Sequence, residues 1–168
     1  MPTRRRIPVR YVPPSLSSAD TQRQVRMLAK SRKLYTSRQY YTRKPVRSYT
    51  SKPSQHLAHA RKLYGVESVR PSAKLARATG CSQSALRAIV RKGEGAYFSS
   101  GSRPNQTAQS WGLARLASSL TAGKSAAVDY HIIQKGCNHK KTAFRLANQA
   151  RKKFGFGHSA TRKRIVST

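Results

Sequence analysis

The sequence predicts a mainly α-helical protein, a small bundle of short helices flanked by long extended basic arms. Apolar residues recur at helical spacing in the middle of the chain, and Ser, Thr and Gly bracket these segments. Both ends are instead rich in Arg and Lys. The predicted regions are a basic Pro- and Tyr-containing arm with one candidate helix at 1–53, a helical module at 54–153 and a basic tail at 154–168.

The composition indicates the class of partner. The 168 residues include 35 Lys and Arg against four Asp and Glu, for a formal net charge of +31. Charges of one sign oppose compaction, so we expect an anionic partner such as phosphate, an acidic protein surface or a crowded assembly. The four carboxylates show no spacing typical of an acid/base pair, so we expect neither an enzyme nor a small-molecule substrate.

The N-terminal arm carries one helical pattern. Pro and Ser residues at 1–17 predict extended chain. Ser18 is a candidate cap for a helix over about 19–34, with Val25 and Leu28 in a thin apolar stripe. Residues 35–53 interleave Tyr with Arg and Lys without a packing period, which predicts rings that stack on bases or fit clefts of a protein partner.

The module predicts a succession of capped helices. Four of them have a Ser or Thr cap at the start and a Gly at the end. In chain order the caps are Ser54, Ser72, either Ser82 or Ser84, and Thr107, and the matching ends are Gly65, Gly80, Gly93 and Gly123. A Gly- and Ser-rich loop is predicted over 93–103. We assign 126–134 to helix rather than strand, and a final helix is predicted to begin at Asn138.

Residues 75–86 resemble a helix-turn-helix, with a Gly turn between two short helices. In that interpretation Gln83, Ser84, Arg87 and Arg91 would face a major groove. A plain helical hairpin is the commoner structure for so short a pattern, and we favour it.

Two further patterns do not predict sites. Residues 123–125 resemble the end of a phosphate-binding loop, but position 118 is Ser where that loop needs Gly. Cys81, His131, Cys137 and His139 lack the paired spacing of zinc ligands, and we interpret the cysteines as unpaired buried thiols in a reducing compartment. No metal or cofactor is expected, and neither a signal peptide nor a membrane span is predicted.

One block carries a specific resemblance. Its parts are residues 92–97, 102–104, 111–115 and 121–124, followed by Asp129. Over about residues 70–150 the chain resembles a domain of unknown function found in large nucleocytoplasmic DNA viruses and some large tailed phages. The resemblance implies a viral context, a genome to condense and a shell to build, but no known activity.

The block also suggests an architectural role. Arg103 and Arg115 are the cations we expect to meet Glu94 or Asp129 inside the fold. The residues assigned to this structural motif are Gly93, Gly95, Tyr97, Arg103, Pro104, Trp111, Arg115 and Asp129.

Two functions follow as expectations. The first is a minor capsid protein, made in the host cytoplasm and resident in the virion, whose arms dock on neighbouring capsid subunits or on an anionic inner membrane surface. The alternative is a protein that condenses viral DNA without sequence preference. The residues predicted to contact the partner or nucleic acid are Arg4, Arg5, Arg6, Arg38, Tyr40, Tyr41, Arg43, Lys44, Arg47, Arg87, Arg91, Arg162, Lys163 and Arg164.

Overall fold

The computed structural model describes residues 2–157 and 161–167 and confirms a mostly helical fold. Within that part of the chain lie two strands and eight helices: β1 (Arg4–Pro8), α1 (Ser18–Thr36), α2 (Gln55–Tyr64), α3 (Ala73–Thr79), α4 (Gln83–Ser99), α5 (Ala108–Leu120), α6 (Lys124–Val128), α7 (Tyr130–Gly136), α8 (Thr142–Phe154) and β2 (Lys163–Ser167).

The chain divides into two compact units. Unit 1 comprises the described residues of 1–52, 94–111 and 160–168, and unit 2 those of 53–93 and 112–159. Both units are discontinuous in sequence, and α4 contributes residues to each.

Most of the residues predicted to form the arms fold into unit 1. Among the residues that the structure describes, no long extended basic arm is present, because the scattered apolar residues of both chain ends share one core. β1 pairs with β2 in an antiparallel two-stranded ribbon, in which Arg4 lies opposite Ser167 and Pro8 opposite Lys163. The buried apolar residues of this unit are Ile7, Tyr11, Val12, Leu16, Val25, Met27, Leu28, Val46 and Val166.

Helix α1 provides the longest element of unit 1. Its cap is Ser17, one residue before the predicted Ser18, and the Ser17 side chain accepts a hydrogen bond from the Asp20 backbone N–H at 3.2 Å. The predicted stripe of Val25 and Leu28 is buried. The helix is therefore held by its apolar side against the rest of the unit.

The predicted helix caps at Ser54 and Ser72 are confirmed in unit 2. The side chains of Ser54 and Ser72 accept hydrogen bonds from backbone N–H groups of α2 and α3. Gly65 and Gly80 end these helices in the left-handed conformation, with φ of 63° and 78°. The fully buried core of the unit includes Leu75, Leu86, Leu116, Leu120 and Ile133.

The predicted stop at Gly93 is wrong. Helix α4 continues through Gly93 and Gly95 to Ser99, where a Gly- and Ser-rich loop was expected. A Cβ atom on Gly93 would lie 2.6 Å from the Cα of Gly112, so the missing side chain allows close approach of α4 and α5. Packing thus outweighs the roughly 1 kcal/mol by which Gly disfavours a helix interior.

The later helices agree with the prediction in type more than in bounds. Residues 126–134 are helical, as assigned, but α6 and α7 are separate helices with Asp129 between them. Helix α8 begins at Thr142 rather than at Asn138. The Asn138 side chain instead accepts a hydrogen bond from the Lys140 backbone N–H in the preceding turn.

The interpretation of the cysteines as unpaired thiols is also wrong. Cys81 and Cys137 form a disulfide across 56 positions of sequence. They lie opposite each other in an antiparallel bridge, flanked by hydrogen bonds from Ser82 N–H to the Gly136 carbonyl and from Asn138 N–H to the Gly80 carbonyl. The two segments were too far apart in sequence for spacing to reveal the pair.

Candidate nucleic-acid interface

Asp129 lies at the centre of an ion-paired cluster in unit 2. Arg115 donates from Nε and Nη2 to the two carboxylate oxygens at 2.8 and 2.7 Å, and Lys92 Nζ lies 3.5 Å from Oδ1. Ser119 also donates to the carboxylate at 3.3 Å. Asp129 is one of the two carboxylates that Arg115 was expected to meet, and this fully buried carboxylate is satisfied by its two-point contact with Arg115.

The second predicted cation does not join this cluster. Arg103 is exposed, and in the described part of the chain it forms no ion pair with Glu94 or Asp129. Its membership of the motif was the only support for this role, and a loop position after α4 leaves its side chain in solvent.

Asp20 is the buried carboxylate of unit 1. It accepts hydrogen bonds from the Ser48 hydroxyl at 2.6 Å and the Ser48 backbone N–H at 2.8 Å. These bonds lower the pKa of Asp20 below its ordinary value, with a smaller contribution from the charge of Arg23. Two of the four acids in the chain thus form hydrogen bonds inside the fold, so few acidic side chains are left to neutralise the surface cations.

One predicted contact residue is buried. Arg43 is only 6% exposed, so its assignment to the partner-binding surface is corrected. Its guanidinium donates to the Ser31 hydroxyl, the Ser102 hydroxyl and the Tyr97 carbonyl at 3.0, 2.8 and 2.8 Å. Burial lowers the pKa of the Arg43 guanidinium.

Arg43 and Tyr97 form the polar centre of unit 1. The guanidinium carbon lies 3.8 Å from the centroid of the Tyr97 ring, and the Tyr97 hydroxyl accepts a hydrogen bond from the Arg43 backbone N–H at 2.9 Å. The structure therefore explains Tyr97 of the sequence motif as a fully buried platform for a cation. A single Arg within a basic run gives no sequence signal for this role.

Trp111 and Pro104 belong to the same unit. Pro104 is buried, whereas Trp111 is half-buried and forms a T-shaped contact with the Tyr11 ring, with 6.4 Å between the ring centroids. Trp111 thus packs at the border of the unit 1 core.

A continuous line of cations follows the exposed side of α1. Arg23, Arg26, Lys30 and Lys33 recur at three- or four-residue intervals and are all exposed. Residues at this spacing are neighbours on a helix surface, and the line extends over about 15 Å. We call these four residues the α1 stripe. The helix was predicted from its apolar residues, and the same helical periodicity places these four cations on one face.

Most of the other predicted contact residues lie at the surface. Tyr41 and Arg164 are half-buried, and the Lys30 ammonium lies 4.4 Å from the centroid of the Tyr41 ring. Tyr40 is 69% exposed and contacts the rings of Tyr35 and Phe98. The exposed members are Arg4, Arg5, Arg6, Arg38, Tyr40, Lys44, Arg47, Arg87, Arg91, Arg162 and Lys163.

Helices α3 and α4 are joined by the short turn 80–82, as the helix-turn-helix pattern predicts. Ser84, Arg87 and Arg91 are exposed on α4, and Gln83 is half-buried. The disulfide fixes the turn to Cys137. Base reading by these residues stays a prediction.

The part of the chain that the structure describes holds no cluster of metal-ligand residues and no membrane-spanning helix. Its His, Cys, Asp and Glu residues form no group of three or more that could hold a metal ion. None of its helices combines the length and apolar character needed to cross a membrane.

The chain belongs to a family of unknown function, DUF5824, whose model matches residues 8–138. The match includes residues 8–69, which lie outside the stretch of about 70–150 that carries the resemblance. No curated protein and no solved structure matches the chain significantly.

Proposed function

We propose that this member of the DUF5824 family binds duplex DNA through phosphate contacts without sequence preference. The observation that supports it best is the α1 stripe, four exposed cations in line on one rigid helix. Duplex DNA carries one negative charge per about 1.7 Å of axis, so a line of cations on a helix meets several phosphates at once. The net charge of +31 adds long-range attraction to the same partner.

The apolar side of α1 favours DNA over a membrane. An interfacial helix needs a free apolar face to enter the lipid boundary. In α1 that face, with Val25, Met27 and Leu28, is buried in the unit 1 core. Only the cationic side is available, which suits a hydrated polyanion.

The fold changes the order of the two functions expected from sequence. Docking across capsid subunits depended on extended arms, and unit 1 folds those residues into a core of its own. We therefore place DNA binding first. The resemblance to a domain of large DNA viruses and phages supports condensation of a viral genome as the setting, and a capsid role stays a separate prediction.

Titration of two unrelated duplexes of equal length and equal thymine content tests the proposal. We expect dissociation constants that agree within about threefold, and an affinity that falls linearly with salt on logarithmic axes. A strong preference for one sequence that persists at high salt would contradict it and favour base reading by α4.

Fractionation of particles separates DNA binding from the capsid role. A protein that condenses the genome leaves opened particles with the DNA after nuclease treatment. Retention in the emptied shell would instead support the minor capsid role.

A further inference from the structure

The ribbon of β1 and β2 presents one side to the core and the other to solvent. Side chains alternate between the two faces of a strand, and residues directly opposite each other share a face. Ile7 and Val166 are buried on the core side. The other face carries the register pairs Arg4 and Ser167, Arg6 and Ile165, and Pro8 and Lys163.

This outer face combines cations with one apolar centre. Ile165 is 62% exposed, with Arg6 directly opposite and Lys163 two positions along its own strand. Arg4, Arg6 and Lys163 are all exposed, and no acid lies on either strand. An exposed isoleucine among three cations suits a surface that is anionic at its edges and apolar at its centre.

Backbone and side-chain contacts hold the ribbon in place within unit 1. The Val9 backbone N–H donates to the Arg162 carbonyl at 2.9 Å, and Arg164 Nη1 donates to the Val12 carbonyl at 3.1 Å. Together with the buried Ile7 and Val166, these contacts hold the outer face as a preformed surface.

We propose that the outer face of this ribbon lies in the major groove of duplex DNA, with Ile165 against thymine 5-methyl groups and Arg4, Arg6 and Lys163 on the phosphates beside them. The proposal rests on the proposed DNA binding and assigns a second contact to it. The major groove of B-form DNA, about 12 Å wide, admits a two-stranded ribbon. The thymine methyl is the apolar group displayed there, whereas the major groove of A-form RNA is too narrow to be read by side chains.

Removal of the thymine methyl tests the contact without changing the protein. Two duplexes of one sequence are compared at the same salt, one with thymine and one with uracil at every thymine position. We expect about fourfold weaker binding to the uracil duplex, the effect of roughly one buried methyl group. Replacing cytosine by 5-methylcytosine in the uracil duplex returns methyl groups to the major groove and should restore affinity.

Variants assign the effect to Ile165. Ile165→Ser should bind both duplexes equally, with an affinity near that of the unaltered protein for the uracil duplex. Leu63→Ser is the matched control, because Leu63 is an exposed apolar residue of unit 2, and it should retain the fourfold difference. Thermal unfolding by circular dichroism verifies that both variants are folded.

Equal affinity of the unaltered protein for the thymine and uracil duplexes, with steep salt dependence intact, would overturn the ribbon contact and leave the proposed function standing. An absence of duplex binding at low salt would overturn both. A fourfold difference that persists in Ile165→Ser would place the methyl contact elsewhere and overturn the assignment.

Discussion

The guanidinium of Arg43 lies over the ring of Tyr97 inside unit 1, with 3.8 Å between its central carbon and the ring centroid. Two hydroxyls and one carbonyl accept its hydrogen bonds, so the buried cation is held by dipoles and a ring face. Arg43 thus fastens the irregular segment after α1 to the end of α4.

Arg43→Lys should lower the free energy of unfolding by about 2–3 kcal/mol, because an ammonium group cannot reproduce the guanidinium's contact with the Tyr97 ring together with its forked hydrogen bonds. Urea denaturation measures the difference. Arg47→Lys, at an exposed position of the same segment, is the control and should stay within about 0.5 kcal/mol. Equal effects of the two substitutions would show that Arg43 is not a structural residue.

The two glycines of α4 should respond in opposite ways to alanine. Gly93→Ala should destabilise the protein by about 1–3 kcal/mol, because its Cβ would lie 2.6 Å from the Gly112 Cα. Gly95→Ala should be neutral or stabilise by up to about 1 kcal/mol, since the nearest atom to a Cβ there is the Tyr35 hydroxyl at 3.8 Å. The melting temperatures of the two variants are compared with that of the unaltered protein. A stabilising Gly93→Ala would refute the close approach of α4 and α5.

Reduction of the Cys81–Cys137 disulfide should destabilise unit 2. Closing a loop across 56 positions constrains the unfolded chain, and by the chain-entropy relation this contributes about 4 kcal/mol at 25 °C. Urea unfolding with and without a reductant measures the loss. The double variant Cys81→Ser and Cys137→Ser should have the stability of the reduced protein, and a reductant should not change it. Equal stability of the oxidised and reduced protein would show that the bond does not stabilise the fold.

Asp20 should make unit 1 sensitive to acid. The hydrogen bonds from Ser48 lower its pKa in the folded state, so its stabilising effect is complete above the ordinary carboxyl pKa of 3.8 and is lost as the pH falls through the lower folded value. Asp20→Asn should therefore be less stable than the unaltered protein at neutral pH, and the difference should shrink below about pH 4. A difference that stays constant down to pH 2 would mean that the charge of Asp20 is not what stabilises the unit.

Local signals in the sequence predicted the parts of the fold that depend on local chemistry. The caps at Ser54 and Ser72 and the left-handed ends at Gly65 and Gly80 need only a few neighbouring residues, and they were found. The motif block narrowed the expected partners of Arg115 to Glu94 and Asp129, and the structure pairs it with Asp129.

Features that depend on distant partners were missed. Gly93 continues a helix because Gly112 packs against it, and Cys81 is bonded because the fold brings Cys137 beside it. Arg43 looked like its exposed neighbours Lys44 and Arg47, since burial depends on Tyr97 and Ser102, more than 50 positions away. The sequence predicts that the candidate interface is positively charged but not where it lies. Net charge can be counted from the residues, whereas the side of a helix that stays exposed depends on the fold.

The salt dependence of DNA affinity tests the interface on α1 most directly. Two variants with equal loss of charge are compared with the unaltered protein. One carries Arg23→Gln, Arg26→Gln, Lys30→Gln and Lys33→Gln. The control carries Arg10→Gln, Arg32→Gln, Lys52→Gln and Arg103→Gln, which are exposed positions of the same unit outside the stripe and outside the predicted contact residues. Each phosphate contact contributes about 0.9 to the slope of log K against log salt, so the stripe variant should lose about 3–4 units of slope and the control less than about 1. Equal losses in both variants would show that the α1 stripe is not the DNA-binding surface.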